Sequence, residues 1–140
     1  MTDHFEDCFN MLCGKLLGEG IHRSVFECNI RPDLVVKVEN ENRRYFANVF
    51  EQQFWDSYQY CDAVKKWLAP CEFLSPDGRI LLQKKCDPVP DSYKLPKLMP
   101  EFLTDLKRAN FGLLDGRLVC VDYAITVMNP ITKPCKAEWF

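Results

Sequence analysis

The sequence lacks the features that mark several large classes of protein. It has no run of about eighteen apolar residues, so we expect no transmembrane helix. Acidic residues, Asp3, Glu6 and Asp7, stand where a signal peptide would have its basic start, and the default prediction is a cytoplasmic protein with no membrane partner. Basic residues are not in excess, because 18 Lys and Arg stand against 20 Asp and Glu. Proteins that bind nucleic acid through its phosphates are usually basic, so we expect no nucleic-acid partner.

Cysteine pairs with metal-binding spacing are also missing. The eight cysteines are widely and irregularly spaced, and none belongs to a C-x-x-C or C-x-x-H pair, which argues against the common zinc motifs. Several lie in apolar runs, where cysteine behaves as a small hydrophobic residue. Without a secretory signal, reduced core thiols are the expected state.

What the chain does contain is enough apolar sequence for one core. Hydrophobic residues make up 47% of the 140 positions and charged residues 27%, which is typical of a single globular domain. The periodicity predicts an α+β fold. We expect helices over residues 2–15, 42–58 and 62–68, strands near 16–17, 25–26, 34–38, 72–75 and 79–84, a proline-rich extended connector over 86–100, and one helical turn over 101–103.

A β-hairpin is predicted with particular clarity near the end of the chain. Two apolar runs, Phe111–Leu114 and Leu118–Val121, flank Asp115-Gly116, and Asp-Gly between such runs indicates a tight turn. Pairing outward from this turn sets Asn110 opposite Val121, which makes Asn110 and Asp122 neighbours at the open end. An amide oxygen and a carboxylate are ligands that Mg²⁺ accepts together with substrate phosphates.

Further residues carry possible chemistry at earlier positions. Gly18-Glu19-Gly20 lies between two predicted strands, where backbone N–H groups can approach a phosphate; an ordinary glycine turn is equally consistent. It is neither a P-loop nor a dinucleotide fingerprint. Lys37, inside a strand, needs an anion if it is half-buried, or else it reaches solvent from an edge. Glu51 on the following helix is the first candidate partner, and Glu39 and Glu41 are its competitors.

The segment before the hairpin supplies two more candidates. Asp105 is placed to orient an attacking hydroxyl or to accept its proton. Lys107 is placed to neutralise charge on a transferred phosphoryl group. Each of these residues alone is also consistent with an ordinary surface loop.

Taken in order, these motifs resemble the protein-kinase superfamily over about residues 16–124. Gly18-x-Gly20-x-x-Arg23-x-Val25 resembles its glycine-rich loop, and Val36-Lys37 resembles its third-strand lysine, with Glu51 as the helical partner. Asp105–Asn110 is similar to the catalytic loop, and Asp122–Ala124 to the metal-binding Asp-Phe-Gly. Gln83–Cys86 would then be the hinge that meets adenine. The chain also resembles compact kinase-like proteins of bacteriophages and bacteria.

The resemblance implies a minimal kinase-like fold with ATP and Mg²⁺ as cofactors. We expect one kinase-like domain over residues 1–140, with a five-stranded antiparallel N-lobe-like half at 16–86, a connector at 87–100 and a reduced C-terminal part at 101–140. It implies nucleotide-binding roles for Gly18, Gly20, Val25, Lys37 and Glu51. It likewise implies catalytic roles for Asp105 and Lys107, and Mg²⁺ ligands in Asn110 and Asp122.

The sequence also departs from the family pattern. Arg23 replaces the third glycine of the loop, which stiffens it and adds a cation near the phosphates. Leu103-Thr104 replaces the usual His-Arg, and Tyr123-Ala124 replaces Phe-Gly, which makes a flip of that segment less favourable. The connector before Asp105 is too short for the usual helical half of the larger lobe, and no Ala-Pro-Glu follows.

Two functional hypotheses follow from these matches and departures. The first is a minimal ATP- and Mg²⁺-binding phosphotransferase whose acceptor the sequence does not identify. The alternative is a pseudokinase-like binding module, for example a phage accessory protein acting in the host cytoplasm on a host protein without phosphoryl transfer. A third reading is a small α+β domain whose charged residues are only surface charge.

Overall fold

The structure, a computed structural model, describes residues 4–41, 46–124 and 129–140. Over these residues the chain is mixed α and β, which confirms the predicted α+β class. Two compact units make up the chain. Unit 1 comprises the described parts of Met1–Gln52 together with Cys71–Lys85, and unit 2 comprises those of Gln53–Pro70 together with Cys86–Phe140. Within the described ranges, no helix combines the length and the apolar character that a membrane crossing needs.

Unit 1 is built on a five-stranded antiparallel sheet, which confirms that part of the predicted fold. The kinase-like character of the fold stays a prediction. The strand order is β1-β2-β3-β5-β4, and each neighbouring pair is antiparallel. The strands are β1 (Cys13–Glu19), β2 (Arg23–Cys28), β3 (Leu34–Glu39), β4 (Cys71–Leu74) and β5 (Ile80–Lys84).

The first helix, α1 (His4–Leu12), covers one side of this sheet. Its apolar stripe of Phe5, Cys8, Phe9 and Leu12 packs against a buried cluster from β2, β3 and β5. The helix predicted over residues 2–15 has the expected apolar stripe, but it ends at Leu12 instead of at residue 15. The residues from Cys13 onward extend instead into β1, where Cys13 lies opposite Cys28, because strand pairing outweighs the weak helical preference of this segment.

The second helix, α2 (Ala47–Tyr58), begins at a cap supplied by β3. The Glu39 carboxylate accepts a hydrogen bond of 2.8 Å from the backbone N–H of Asn48. The first N–H groups of a helix have no partner within the helix, and a negative charge there also suits the helix dipole. The predicted start of this helix, at residues 42–45, lies outside the described residues.

Unit 2 contains a short helix and two small sheets. Helix α3 (Asp62–Lys65) is shorter than the predicted 62–68, because Leu68 leaves it to form a parallel bridge with Cys120. The strands are β6 (Asp87–Pro88), β8 (Phe111–Leu114) and β9 (Arg117–Cys120) in one sheet, and β7 (Leu98–Pro100) with β10 (Pro134–Lys136) in the other. Phe54, on α2, contacts the rings of Phe102 and Tyr123.

The predicted Asp115-Gly116 hairpin is present with the expected register. Leu114 pairs with Arg117 and Phe111 with Cys120. Both turn residues have positive φ, 51° at Asp115 and 79° at Gly116, as the favoured two-residue hairpin turn requires.

This unit contains a turn at residues 101–103, where one helical turn was predicted, and a strand in the tail that was not predicted. Residues 101–103 form a single hydrogen-bonded turn, in which the N–H of Leu103 donates to the carbonyl of Pro100 at 3.1 Å, and they do not continue into a helix. The tail itself contains β10, although its sequence has no clear period. A three-residue strand beside a proline is too short to show a period of two.

Candidate functional site

The buried polar residues of unit 1 form one connected cluster. It joins β2, β3, α2 and β5, and no member exposes more than 8% of its surface. Removing this many polar groups from water costs folding free energy unless they form hydrogen bonds with one another. The members are Arg23, Lys37, Glu39, Asn48, Glu51 and Gln83.

Lys37 and Glu51 form a buried ion pair at the centre of the cluster. The Nζ of Lys37 lies 2.5 Å from Oε1 of Glu51, and the glutamate is completely buried. The pairing of these two residues was predicted, and it is present. The two competing carboxylates are engaged elsewhere, because Glu39 caps α2 and Glu41 pairs with Arg79.

Arg23 binds the same carboxylate from the other side. Its Nη2 lies 3.0 Å from Oε2 of Glu51, and its Nη1 lies 3.2 Å from Oε1 and 3.2 Å from Oδ1 of Asn48. The sequence predicted only a cation near phosphates. The strand register would have revealed this contact, since Arg23 lies opposite Glu39 on the β2–β3 pair, two residues from Val25 and its partner Lys37.

The charges of this cluster determine the state of Glu51. Burial alone would raise the pKa of the Glu51 carboxyl, but the positive charges of Arg23 and Lys37 and their hydrogen bonds lower it to about 2. Glu51 is therefore an anion at neutral pH, held between two cations. Gln83 adds a further hydrogen bond, with its Nε2 3.2 Å from Oε1.

The glycine loop between β1 and β2 is tied down by its own backbone. The N–H of Gly20 donates to the carbonyl of Arg23 at 2.8 Å. The Asn40 side-chain amide donates to the carbonyls of Gly20 and Ile21 at 3.2 and 2.9 Å. The Gly20 amide is thus used within the hairpin, which is the ordinary-turn arrangement that the sequence left open.

Gly18 differs from Gly20 in having open space beside it. It lies on β1 opposite Val25. A Cβ added at Gly18 would meet no atom within 4 Å. Local packing therefore does not require glycine here, and a ligand could approach this stretch of backbone closely.

In unit 2 the open end of the hairpin brings acidic residues together. The N–H of Val121 donates to the carbonyl of Asn110 at 2.8 Å, which confirms the predicted position of Asn110 opposite Val121. Asp122 follows directly and is exposed. The side-chain nitrogen of Asn110 donates to the backbone carbonyl of Asp105 at 3.1 Å. One small pocket is lined by Leu103, Thr104, Asp105, Phe111, Cys120, Asp122 and Tyr123.

The tail of the chain contacts the segment that leads into this hairpin. The N–H of Phe140 donates to the carbonyl of Leu106 at 3.0 Å, and the Nζ of Lys107 lies 5.7 Å from the centre of the Phe140 ring. Trp139 packs on Phe111. The ammonium of Lys107 therefore contacts the tail, and Lys107 is not one of the residues that line the pocket. No signal in the sequence indicated these contacts.

The residues of this pocket fit a magnesium ion in type. Asp105 and Asp122 line the pocket and offer carboxylate oxygens. Asn110 is not one of the lining residues, although its side-chain nitrogen is bonded to the backbone carbonyl of Asp105. Mg²⁺ is usually held by one or two carboxylates, with water and substrate phosphates completing its shell. Across the ranges that the structure describes, no group of three or more His, Cys, Asp or Glu side chains could hold a metal by itself.

Comparison with known proteins adds no further assignment. No protein-family model and no curated protein sequence matches this chain. The function has to be argued from the two groups of residues described above, the buried cluster of unit 1 and the acidic pocket of unit 2.

Proposed function

We propose that the protein binds Mg·ATP and acts as a minimal kinase-like phosphotransferase. The observation that carries the proposal is the buried pair of Lys37 and Glu51, held on the third strand and the following helix of an antiparallel five-stranded sheet. A buried ammonium fixed by one carboxylate is a preorganised cation for a phosphate group, because its position costs nothing further at the moment of binding.

Unit 1 holds the residues that we assign to the nucleotide, and unit 2 holds those that we assign to the metal and the acceptor. In unit 1, Gly18, Gly20 and Val25 would lie against the nucleotide, and Lys37 would contact its phosphates. The open space beside Gly18 supports this role. The tied amide of Gly20 limits its own contribution to that of a turn residue.

In unit 2, the acidic pocket would bind the metal and the acceptor. Asn110 and Asp122 would hold Mg²⁺, which neutralises charge on the phosphates when bound. Asp105 lines the same pocket as Asp122, and it would orient the acceptor hydroxyl and take its proton as the γ-phosphoryl group passes from ATP to that oxygen. Lys107 would have to leave the Phe140 ring to neutralise charge on the transferred group.

The first experiment measures thermal unfolding with and without Mg·ATP. A ligand that binds only the folded protein raises the melting temperature, by an amount equivalent to about 2.7 kcal/mol when its concentration is about 100 times Kd. We expect a clear increase for the wild type and the loss of its Mg²⁺-dependent part in Asp122→Asn. Asp91→Asn is the matched control, since Asp91 is an exposed acid of the same unit outside the pocket.

A second pair of variants tests the residues that we assign to the nucleotide in unit 1. Gly18→Ala fills the space that we assign to the nucleotide, and Lys37→Met removes the cation. Both should weaken Mg·ATP binding, although the pocket of unit 2 is untouched. An unchanged melting temperature of the wild type at millimolar Mg·ATP would contradict the proposal.

The second candidate function is a pseudokinase-like module that modulates a host protein. The position of Lys107 over Phe140 favours it, because that cation is then withheld from the acidic pocket. ATP labelled on the γ-phosphate separates the two functions. Label on the protein or on a component of a host lysate supports transfer, whereas stabilisation by ATP without any labelled product supports the module.

A further inference from the structure

The geometry of the buried cluster points to a role for Arg23 that the motif comparison does not contain. Glu51 accepts hydrogen bonds from Lys37 and Gln83 through Oε1, and from both terminal nitrogens of Arg23. Two cations therefore share one completely buried carboxylate. Their contacts with Glu51 differ in kind, because Lys37 bonds one carboxylate oxygen and Arg23 bonds both.

The position of Arg23 is fixed without help from the ammonium of Lys37. Its Nη1 also donates to Oδ1 of Asn48. The Asn48 side-chain nitrogen in turn donates to the carbonyls of Lys37 and Gly78, both at 3.1 Å, and its backbone N–H is bonded to Glu39. The guanidinium thus rests on a network of backbone and helix-cap contacts that does not include the ammonium of Lys37.

We infer that Arg23 is a positioning residue that holds Glu51 while Lys37 exchanges its hydrogen bond from Glu51 to a phosphate oxygen of the nucleotide. This inference rests on the proposed function. No covalent bond changes in the step; one hydrogen bond of the ammonium is replaced by another. Arg23 acts through Glu51 and does not touch the ligand.

The physical reason lies in the cost of leaving a buried charge without a partner. If Lys37 were the sole cation beside Glu51, its departure would leave an uncompensated carboxylate in the interior. The planar fork of Arg23 matches both carboxylate oxygens and keeps its charge at any relevant pH. With Arg23 in place, Lys37 can give up its hydrogen bond to Glu51 and bond a phosphate oxygen instead, because Glu51 keeps a cationic partner.

Removal of Arg23 should therefore lock Lys37 onto Glu51. We expect Arg23→Gln to weaken Mg·ATP binding by about tenfold or more, measured by isothermal titration calorimetry. Adding Glu51→Gln to that variant removes the carboxylate that locks the lysine. The double variant Arg23→Gln/Glu51→Gln should bind Mg·ATP at least about threefold more tightly than Arg23→Gln alone, but less tightly than the wild type, because it also lacks the carboxylate that positions Lys37.

Recovery in the double variant is the readout that a merely structural role of Arg23 would not produce. If Arg23 only stabilised the fold, the second substitution would leave binding as weak as before or weaker. Wild-type affinity in Arg23→Gln, or no recovery in the double variant, overturns the inference. Arg23→Lys retains the charge without the fork and should fall between the wild type and Arg23→Gln.

Thermal unfolding of the unliganded variants tests the same idea without ATP. Arg23→Gln should lower the melting temperature by about twice as much as Lys37→Gln, because only the former strips Glu51 of its two-point partner. An equal or larger loss in Lys37→Gln overturns the inference. If the wild type does not bind Mg·ATP, both the proposed function and the hydrogen-bond exchange of Lys37 are overturned. If the wild type binds Mg·ATP and substitution of Arg23 does not change its affinity, only the exchange is overturned.

Discussion

The hydroxyl of Tyr123 donates a hydrogen bond of 2.7 Å to the backbone carbonyl of Ala69. Tyr123 is completely buried, and its ring packs 5.9 Å from that of Phe54. The residue that follows Asp122 is thereby anchored at both its ring and its hydroxyl. This anchor fixes the backbone beside a proposed metal ligand.

We expect Tyr123→Phe to lower the free energy of unfolding by about 1–3 kcal/mol, because it leaves the buried carbonyl of Ala69 without this donor. Urea denaturation measures the change. Tyr60→Phe is the matched control, since Tyr60 is 90% exposed and its substitution should change stability by less than about 0.5 kcal/mol. Equal effects of the two substitutions would contradict the anchoring role.

Glu51 should make stability depend on pH in the acid range. Its pKa in the folded protein is lowered from 4.5 to about 2, so the unfolded chain binds the proton more readily. The contribution is therefore complete above pH 4.5 and is lost as the pH falls toward 2. We expect the free energy of unfolding to fall by an amount on the order of 3 kcal/mol over this window. The slope of the free energy of unfolding against pH should be smaller in Glu51→Gln.

Salt distinguishes this contribution from that of an exposed acid. Hydrogen bonds from Arg31 and Lys84 also hold the pKa of Asp33 well below its ordinary value, although Asp33 is exposed. The Debye length in 1 M salt is about 3 Å, so exposed pairs are screened there and buried pairs much less. The wild type and Glu51→Gln should still differ in 1 M NaCl in the slope of the free energy of unfolding against pH. The corresponding difference between the wild type and Asp33→Asn should disappear at this salt concentration.

The hairpin turn depends on glycine for its backbone conformation. Gly116 has a φ of 79°, and a Cβ there would meet no atom within 4 Å. Any cost of Gly116→Ala is therefore backbone strain, which we expect to be about 1–2 kcal/mol in urea denaturation. Gly18→Ala is the control, because Gly18 has the same open space without a positive φ. A stability loss of equal size in both variants would argue against the turn.

Trp139 should stabilise the segment that contains Asp105 and Asn110. Its ring meets Phe111 edge-on with centroids 5.0 Å apart, and its Nε1 donates to Pro96 at 2.9 Å. We expect Trp139→Ala to lower the free energy of unfolding by about 1–3 kcal/mol. The same substitution should speed hydrogen exchange at the amide of Val121. Glu138→Ala, at an exposed neighbour, should leave the exchange rate unchanged, and unaltered exchange in Trp139→Ala would contradict this role.

Local sequence signals predicted part of this structure well. Asp115-Gly116 between apolar runs determined the turn and, by counting outward, the position of Asn110 opposite Val121. A lysine within a strand rich in Val suggested an anionic partner, with Glu51 on the next helix as the first candidate, and the two residues are paired. In each case the chemistry of a few neighbouring residues restricts the structure strongly.

Other features depend on pairings that local patterns do not encode. Arg23 reaches Glu51 because of the register between β2 and β3 and the rotation of α2, and neither is visible in the chain. The contacts of Trp139 with Phe111 and Pro96 join residues that are distant in the chain, next to the pairing of the three-residue strands β7 and β10. Elements this short bury too little surface to leave a hydrophobic pattern, so tertiary contacts decide where they lie.

The contact between Phe140 and Leu106 has a consequence for the order of synthesis. The bonded residues are separated by 140 − 106, or 34, positions. At about 5–20 residues per second, a ribosome needs roughly two to seven seconds to add them. During that interval the Asp105–Asn110 segment and Phe111 have been made but lack their partners Phe140 and Trp139, so these contacts form only after both residues have been added.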